Sequence, residues 1–517
     1  MSVARIQVSV FRAVFGIVVL ILSILFVSPQ QAYAEQGFQF QSSPYLSAQN
    51  TRETAKSIAV NTAVSDMVGR SGSNWYVFTL NDPGKATFKF KCDYSDIGSS
   101  LSFYLYDANA NQIFMNAHAV RSLTESTLGV DGLGAGKYYI EVTDPAGLVD
   151  TSVHNYQFVV EYSKVNDWEH EFNNDFTHAT PIKPNQVRQG VLHKGYDSDY
   201  FKLELSKKGM VALDITTDEN ASNQCVTVSL WSSEQGLINK GDYYPNSRTP
   251  KTFVPIGLAK GTYYVLVYAD RSELGNLGYE IKPVFYATEL TEAESNDYPA
   301  WANSYKIGSK IVASLMYSYR YSNSRSTDED WYKLTIPKKC KLDIKWSHGY
   351  VESIFTCTLM KANSDAVKKG RSIGYADGES FRTGTLAKGT YYLKVTTETG
   401  QAYDLGASYV SNSQVGELAY KLSVKFYVAS PKVVKHVRKS NSATLKWGRV
   451  SGASSYQVRY STKSNMKNAK VVTADYWQTS KTLKKLKSGC KYYAQMRTVR
   501  NMGGADAYSS WSKKVTL

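Results

Sequence analysis

Two short segments of the chain place acidic and amide side chains close together. The residues are Glu169, Glu171, Asn173 and Asn174 in the first segment, and Glu292, Glu294, Asn296 and Asp297 in the second. In each, the two glutamates lie two positions apart. Because alternate side chains of an extended strand point the same way, each segment can offer several oxygen atoms to one point. Calcium prefers such carboxylate and amide oxygens, with no need for His or Cys.

A second acidic pair follows each segment further along the chain. These pairs are Asp197 and Asp199 in YDSDY, and Asp328 and Asp330 in TDEDW. Magnesium fits such a set less well, because it demands tight octahedral geometry and keeps several waters. The alternative is that both acidic segments are solvated linkers, the usual fate of a short charge cluster. We predict that each set of carboxylates and amides holds one structural calcium ion.

The acidic segments belong to repeating units. Three phrases share a Gly-x-Tyr-Tyr core: LGAGKYYIEV, LAKGTYYVLV and LAKGTYYLKV. Each is preceded by an aromatic strand (SNWYVFTL, SDYFKLEL or EDWYKLTI) and followed by a closing strand (YQFVVEY, YEIKPVFY or YKLSVKFY). The recurrence of these elements in the same order predicts repeats at 45–163, 166–287 and 290–428, called repeats 1, 2 and 3 below.

Repeat 1 departs from the acidic pattern. Where the other repeats have carboxylates, it has Tyr45, Ser47, Gln49 and Asn50, followed by Gly72 and Asn74. Since no carboxylate remains at these positions, we expect repeat 1 to be a degenerate copy without a metal site. Two calcium sites are therefore predicted, in repeats 2 and 3.

The sequence pattern of the repeats is typical of β-structure throughout. Short runs of alternating apolar and polar residues are broken by Gly, Asn, Asp and Ser, and no stretch keeps a helical period for long. This pattern predicts an all-β chain of tandem antiparallel β-sandwiches, with jelly-roll-like repeats.

The last segment, 430–517, differs from the repeats. It carries Trp447 in an early strand, the alternation Tyr456, Val458 and Tyr460, and a later LKSGCKYY in which Tyr492 precedes a strand. A buried Trp and a tyrosine whose hydroxyl returns to the backbone are features of immunoglobulin-like domains. This segment resembles a fibronectin type III domain.

The repeats resemble the bacterial pre-peptidase C-terminal domain and the related collagen-binding modules of clostridial collagenases. The resemblance covers about three quarters of the chain. It rests on the acidic segment, the Asp-x-Asp-aromatic turn and the Gly-x-Tyr-Tyr strand. It implies β-sandwich modules in which calcium at the matching positions fastens the leading segment to the sandwich. It also implies secretion, often beside a peptidase.

The chain begins with an export signal. Arg5 and Arg12 precede the apolar run from Ala13 to Val27, and Ala32-Tyr33-Ala34 offers a small-residue cleavage site. We predict that residues 1–34 are removed and that the mature protein is extracellular or associated with the cell surface, without integral membrane association. Five scattered cysteines do not form a disulfide framework. Cys340 and Cys357 could pair outside the cell, but free buried thiols are the favoured interpretation.

The positive charge is concentrated in the last domain. The whole chain carries +15, yet residues 430–517 contain 19 Lys and Arg against Asp475 and Asp506, which gives +17. We expect Lys481, Lys484, Lys485, Lys487 and Lys491 to attract polyanions outside the cell. A lysine-rich surface without a ligand is the alternative. Base-specific nucleic-acid recognition is not expected, because no groove-reading helix is predicted.

Catalytic motifs are weak. GRSIG matches the hydrolase Gly-x-Ser-x-Gly pattern at Ser372, but it lies between strands, and the only later histidine is His436 in another domain. No segment remains to house a catalytic domain. We therefore predict a non-catalytic binding protein that adheres to an extracellular polymer such as a wall polyanion, a glycan or a collagen-like protein. The alternative is an accessory subunit of a secreted peptidase or other hydrolase. The sequence leaves the oligomeric state open.

Overall fold

A computed structural model describes most of the chain from residue 50 onward. The described residues are 50–69, 72–92, 101–116, 125–144, 153–193, 197–217, 226–234, 236–243, 251–252, 255–269, 277–315, 317–318, 326–363, 365–398 and 418–517. The predicted signal at 1–34 and Cys225 lie outside these ranges. The only helical element within them is a 3-10 turn, Arg52–Thr54, and none of the described helices could cross a membrane. The protein is an all-β chain of tandem sandwiches, as predicted.

Repeat 1 folds into two sheets. Its strands are β1 Lys56–Ser57, β2 Val64–Gly69, β3 Ser73–Leu80, β4 Gly84–Cys92, β5 Ser102–Tyr106, β6 Gln112–Asn116, β7 Ser126–Leu133, β8 Gly136–Thr143 and β9 Val153–Lys164. One sheet has the order β1-β3-β8-β5-β6 and the other β2-β9-β4-β7. All pairings are antiparallel except that of the short β1 with β3.

Repeat 2 has the same plan. Its strands are β10 Thr180–Ile182, β11 Arg188–Leu192, β12 Ser198–Leu205, β13 Gly209–Thr217, β14 Val226–Ser232, β15 Gly236–Tyr243, β16 Lys251–Thr252, β17 Ile256–Leu258, β18 Gly261–Ala269 and β19 Leu277–Ala287. The two sheets have the orders β10-β12-β18-β14-β15 and β11-β19-β13-β16, and β17 also pairs with β13.

Repeat 3 joins the corresponding strands into one sheet. Its strands are β20 Asn303–Tyr305, β21 Lys310–Leu315, β22 Tyr317–Ser318, β23 Ser326–Thr327, β24 Glu329–Ile336, β25 Lys341–Lys361, β26 Ala366–Arg382, β27 Gly389–Glu398 and β28 Leu418–Tyr427. The long β25 pairs with β28 through its first half and with β27 through its second half. It therefore connects the two layers, and the order is β20-β24-β27-β25-β28-β21, with β26 beside β25, while β22 and β23 pair only with each other among the described strands.

The last domain consists of a three-stranded and a five-stranded sheet. Its strands are β29 Val433–Lys439, β30 Ser442–Trp447, β31 Ser455–Ser461, β32 Lys470–Asp475, β33 Ser480–Leu483, β34 Tyr493–Asn501, β35 Asp506–Tyr508 and β36 Val515–Thr516. The sheet orders are β29-β30-β33 and β32-β31-β34-β35, with β36 beside β34. Trp447 is buried against Tyr456, and the hydroxyl of Tyr492 accepts a 3.2 Å hydrogen bond from the backbone N–H of Lys487. Tyr492 is therefore the predicted tyrosine whose hydroxyl returns to the backbone, an arrangement called a tyrosine corner.

Alternation along the strands builds the cores. In β3 the buried positions are Asn74, Tyr76, Phe78 and Leu80, and β12 repeats the same burial pattern. The core of repeat 3 also includes Met502 and Ala507 of the last domain, so these two domains share one apolar cluster. Cys340 and Cys357 are buried free thiols, Cys92 is also buried, and Cys490 is exposed in the loop before β34.

Candidate cation sites at the repeat junctions

The leading segment of repeat 2 lies between two repeats. Glu169 donates its backbone N–H to the carbonyl of Gln189 in β11, and Glu171 donates to the carbonyl of Gly132 in β7 of repeat 1, both at 2.8 Å. Gly132 is required there, because a Cβ at this position would lie 2.2 Å from the carbonyl oxygen of Glu169. The segment is therefore hydrogen-bonded to the edge strand of each neighbouring sheet.

The junction between repeats 2 and 3 repeats this arrangement. The N–H of Glu294 donates to the carbonyl of Gly257 in β17 at 2.8 Å, and Val312 in β21 donates to the carbonyl of Leu290 at the same distance. In both segments the peptide bond after the second glutamate is cis. Each candidate site is thus positioned by two repeats.

Three carboxylates converge in repeat 2. One oxygen each of Glu169, Glu171 and Asp199 lies within 4.8 Å of the others, and all three side chains are buried. Glu169 Oε1 accepts from the N–H of Val191 at 2.7 Å, and Asp199 Oδ2 accepts from the hydroxyl of Tyr279 at 2.5 Å. These bonds fix the side chains but do not neutralise their charges.

Repeat 3 brings together the matching trio of Glu292, Glu294 and Asp330, also within 4.8 Å and buried. Glu292 Oε1 accepts from the N–H of Ser314 at 2.6 Å. Asp330 Oδ2 accepts from the hydroxyl of Tyr420 at 2.5 Å. The two sites are built in the same way.

Several buried oxygens at these sites have no hydrogen-bond partner among the described residues. They are Oε1 of Glu171, Oδ1 of Asn173, Asn174 and Asp199 in repeat 2, and Oε1 of Glu294 and Oδ1 of Asp330 in repeat 3. A buried acceptor without a partner costs about 1–3 kcal/mol, and more when it is charged. An all-oxygen set of this kind matches the ligands of calcium.

The electrostatics of both trios are unfavourable without a counter-ion. Burial raises the pKa of Glu171 and Asp199 well above the ordinary values, and neighbouring carboxylates raise both further. In repeat 3, burial raises the pKa of Glu292 to about 7. Burial, followed by the charge of Glu292, raises the pKa of Glu294 well above 4.5.

The remaining candidate residues lie around the trios. Asp197 uses both oxygens on backbone N–H groups, those of His193 at 2.7 Å and Ser198 at 3.0 Å. In repeat 3, the charges of Asp297 and Asp328 contribute to the raised pKa of Glu294. The amide oxygen of Asn296 accepts from the N–H of Trp331 at 3.2 Å, so this oxygen is already engaged.

Among its described residues, repeat 1 fills the corresponding space without such a trio. The side-chain amide of Asn74 donates to the hydroxyl of Tyr156 at 2.8 Å, and Asn50 exchanges two hydrogen bonds with the backbone of Trp75. A carboxylate is present after all: Asp66 enters from β2, accepts from the hydroxyl of Tyr76 at 2.9 Å and pairs with Lys56. Residues 45–49 lie outside the described part of the chain.

Sequence reasoning missed the tyrosines at the sites and one acidic residue from the neighbouring repeat. Tyr279 and Tyr420 are the first residues of the closing strands YEIKPVFY and YKLSVKFY, so their recurrence was a usable signal. Asp131 of repeat 1 is buried, pairs with His193 and raises the pKa of Glu171 by its charge. No pattern within repeat 2 could have pointed to it.

Ser372 has a histidine neighbour that precedes it in the chain. Its Oγ lies 2.7 Å from Nε2 of His348 and 3.0 Å from the indole Nε1 of Trp346, while Nδ1 of His348 lies 2.7 Å from the carbonyl of Gly349. Burial lowers the pKa of His348. Ser372 lies inside β26, paired with Phe355, and not on the strand-to-helix turn that the motif requires.

The predicted lysine patch lies at one end of the last domain. Lys481 is partly buried in β33, whereas Lys484, Lys485, Lys487 and Lys491 are exposed in the connection to β34. The ammonium of Lys491 lies 5.7 Å from the ring centre of Tyr493. Apart from Lys481, the patch is therefore accessible.

The sheets and sites define a tandem β-sandwich protein whose last domain has a fibronectin type III-like strand arrangement. No family model matches the chain, and no curated protein matches it. Among solved structures, it is similar to a Fn3-like protein from Clostridium thermocellum, with 28% identity over 17% of this chain and 91% of that chain and a TM-score of 0.16. It is also similar to a two-domain fibronectin type III segment from chicken tenascin, with 22% identity over 35% and 93% and a TM-score of 0.18. Because these TM-scores are low, the class of the last domain rests on its own strand order, buried Trp447 and tyrosine corner.

Proposed function

We propose that the protein is a secreted, non-catalytic adhesion protein that binds extracellular polymers and contains structural calcium in repeats 2 and 3. The aromatic faces of the repeats would grip an extended glycan or protein such as collagen. The basic last domain would hold a polyanion at the cell surface. The observation that carries this proposal is the recurrence of a partly exposed tyrosine at the same position of one sheet in all three repeats.

The aromatic faces occupy matching positions of one sheet. They consist of Trp75 and Tyr139 in repeat 1, Tyr200 and Tyr264 in repeat 2, and Tyr392 in repeat 3, where Trp331 at the matching position is buried. Within each Gly-x-Tyr-Tyr phrase, the first tyrosine donates its hydroxyl to a carbonyl four residues earlier, and the second lies on the outward face. Core packing therefore accounts for only half of these tyrosines.

Further rings extend the faces. Tyr106 stacks on Trp75 with ring centres 5.4 Å apart, and in repeat 2 Phe176, which is 42% exposed, lies 4.8 Å from Tyr200 and 4.9 Å from Tyr264. Large rings with a polar edge bind strongly at wet interfaces, because they bury much area and lose few rotamers. Such faces suit a partly hydrated polymer.

Calcium would act on the junctions. The candidate ligands are Glu169, Glu171, Asn173, Asn174, Asp197 and Asp199 in repeat 2, and Glu292, Glu294, Asn296, Asp297, Asp328 and Asp330 in repeat 3. A bound cation would relieve the repulsion between the buried carboxylates and give their free oxygens a partner. Because the same segments are hydrogen-bonded to two repeats, it would also stiffen the array on which the aromatic faces lie.

The test is co-sedimentation of the chain starting at Glu35 with collagen fibrils and with bacterial wall sacculi. The informative variant is Tyr139→Ser/Tyr264→Ser, and Tyr286→Ser is the matched control, because Tyr286 is 72% exposed but lies outside the faces. We expect the double variant to lose binding to a fibre or sacculus that the control still binds. If the unsubstituted chain binds neither material and a peptidase co-purifies with it, the protein is better explained as an accessory subunit. Deleting residues 430–517 is a poor test, because it strips Met502 and Ala507 from the core of repeat 3.

A further inference from the structure

The five-stranded sheet of the last domain carries a stack of alternating cations and rings. The guanidinium carbon of Arg459 lies 4.4 Å from the ring centre of Trp511, and that of Arg497 lies 4.5 Å from it. Arg497 also lies 4.1 Å from the ring centre of Tyr508. The order is therefore Arg459, Trp511, Arg497, Tyr508. Stacking of this kind is favourable for guanidinium groups, which are weakly hydrated on their flat faces.

Two glutamines fix the orientation of the guanidinium groups. Arg459 donates from Nε and Nη2 to Oε1 of Gln495 at 3.1 and 2.6 Å, and Arg497 donates from Nε to Oε1 of Gln457 at 2.9 Å. The register of β31 and β34 places each arginine directly opposite its glutamine. Because the side chains are already ordered, a ligand that binds them costs less conformational entropy.

Trp511 is held in place by hydrogen bonds that the next residue, Ser512, makes to β34. Ser512 donates its N–H to the carbonyl of Met496 at 2.7 Å, and the N–H of Met496 donates to Oγ of Ser512 at 3.1 Å. The ring between the two arginines thus belongs to the edge of the sheet and not to a loose tail.

No carboxylate neutralises the stack. The only acidic residues of 430–517 are Asp475, opposite Ser455 at one end of β31, and Asp506, opposite Asn501 near the end of β34. Neither arginine has an ion pair among the described residues. Each guanidinium has five N–H donors, of which Arg459 uses two and Arg497 one in the bonds above. The others remain for a ligand.

More cations surround the stack. The ammonium groups of Lys514 and Lys491 lie 5.3 and 5.7 Å from the ring centre of Tyr493, the residue at the start of β34. A polymer that follows β34 would therefore meet two fixed guanidinium groups and then two lysines.

We propose that this face binds sulfate or phosphate groups spaced along a polymer, and that Arg459 and Arg497, rather than the lysines at 481–487, supply most of the affinity. The inference rests on the proposed function and locates its polyanion site. Guanidinium forks match tetrahedral oxyanions in two-point geometry, whereas exposed lysines act as flexible point charges that mainly speed encounter.

The test measures binding of the chain starting at Glu35 to a heparin oligosaccharide and to poly(glycerol phosphate) over a series of salt concentrations. The two probes separate a sulfated glycan from a phosphate polymer as the source. Arg459→Gln/Arg497→Gln is compared with Lys484→Gln/Lys485→Gln, which removes the same charge. Arg459→Lys/Arg497→Lys keeps the charge but loses the forks, and its melting temperature checks that the domain is folded.

We expect the Arg-to-Gln variant to bind at least one probe about a hundredfold more weakly, because the loss of each of the two guanidinium groups should weaken binding about tenfold. We expect the lysine control to stay within about threefold. The Arg-to-Lys variant should lose about tenfold despite its unchanged charge. Equal losses in the lysine control, or full binding by a folded Arg-to-Lys variant, would overturn the inference while leaving polyanion binding intact. If the unsubstituted chain binds neither probe at low salt, both the inference and the polyanion part of the proposed function are overturned.

Discussion

The hydroxyl of Tyr420 donates a 2.5 Å hydrogen bond to Oδ2 of Asp330, whose other oxygen is buried without a partner among the described residues. Tyr279 and Asp199 form the same pair in repeat 2. In repeat 1 the partner of the equivalent Tyr156 is Asn74, and the direction is reversed, because the amide donates to the hydroxyl. The carboxyl-to-amide difference at this position is therefore one of the changes that distinguish repeats 2 and 3, whose sites have an unmet negative charge, from repeat 1.

This relationship predicts opposite effects of Asp199→Asn in chelator and in calcium. In chelator the variant should unfold at a higher temperature, by the equivalent of about 1–3 kcal/mol, because it removes a buried charge and can adopt the Asn74 pattern. In calcium it should gain little, because a ligand is lost. Scanning calorimetry of the transition that contains repeat 2 measures both effects. Asn74→Asp is the matched control and should destabilise repeat 1 under both conditions. A lower melting temperature of Asp199→Asn in chelator would contradict the account.

Stability without calcium should fall as the pH rises. The folded-state pKa of Glu292 is raised to about 7, whereas its ordinary value is 4.5. Between these values the folded protein keeps a proton that the unfolded chain has released, so each rise in pH favours unfolding. The stability present at pH 4.5 is therefore lost as the pH rises through about 7, by roughly 3 kcal/mol at most for this residue.

Calcium should reverse this dependence, because it binds only the deprotonated carboxylates. Melting temperatures between pH 5 and 8, measured with chelator and with calcium, test the prediction. Glu292→Gln should flatten the chelator curve. A chelator curve that rises with pH would show that the carboxylates are not destabilised by burial.

Ser372 should be structural and unreactive. Its hydroxyl links the indole of Trp346 to the imidazole of His348, so Ser372→Ala leaves buried polar groups unpaired and should cost about 1–3 kcal/mol. Because Ser372 lies within a paired strand, we expect no nearby donors for an oxyanion. Mass spectrometry after treatment with a fluorophosphonate should find Ser372 unlabelled in the folded protein. Labelling that disappears in His348→Gln would instead identify a serine nucleophile.

The sequence predicted the β-sandwich class well, because alternating apolar and polar residues and the Gly-x-Tyr-Tyr phrase indicate the strands of each repeat. It also predicted that Glu292 and Glu294 would lie together, since they share a face of an extended segment, but not that Asp330 rather than Asp328 would complete the trio. It could not predict that β25 runs through both layers of repeat 3, because that depends on pairing with β27 and β28. Nor could it predict Asp131, which reaches the site of repeat 2 from another repeat through tertiary packing.

The last domain shows a similar division. Charge counting located the basicity, but the stacking of Arg459 and Arg497 on Trp511 depends on the register between β31 and β34 and on the segment between β35 and β36. Residues far apart in the sequence form this face, so no local pattern could indicate it. The lysine patch could be recognised from the sequence because its members are neighbours in the chain.

The most direct test of the calcium-supported account is a calorimetric calcium titration of the chain starting at Glu35 after removal of metal. We predict two ions per chain, one ion in Glu171→Gln or Glu294→Gln, and none in the double variant. At a hundredfold excess over its dissociation constant, each ion should stabilise its repeat by about 2.7 kcal/mol. Binding that is absent from the starting chain, or that persists in the folded double variant, would contradict the account.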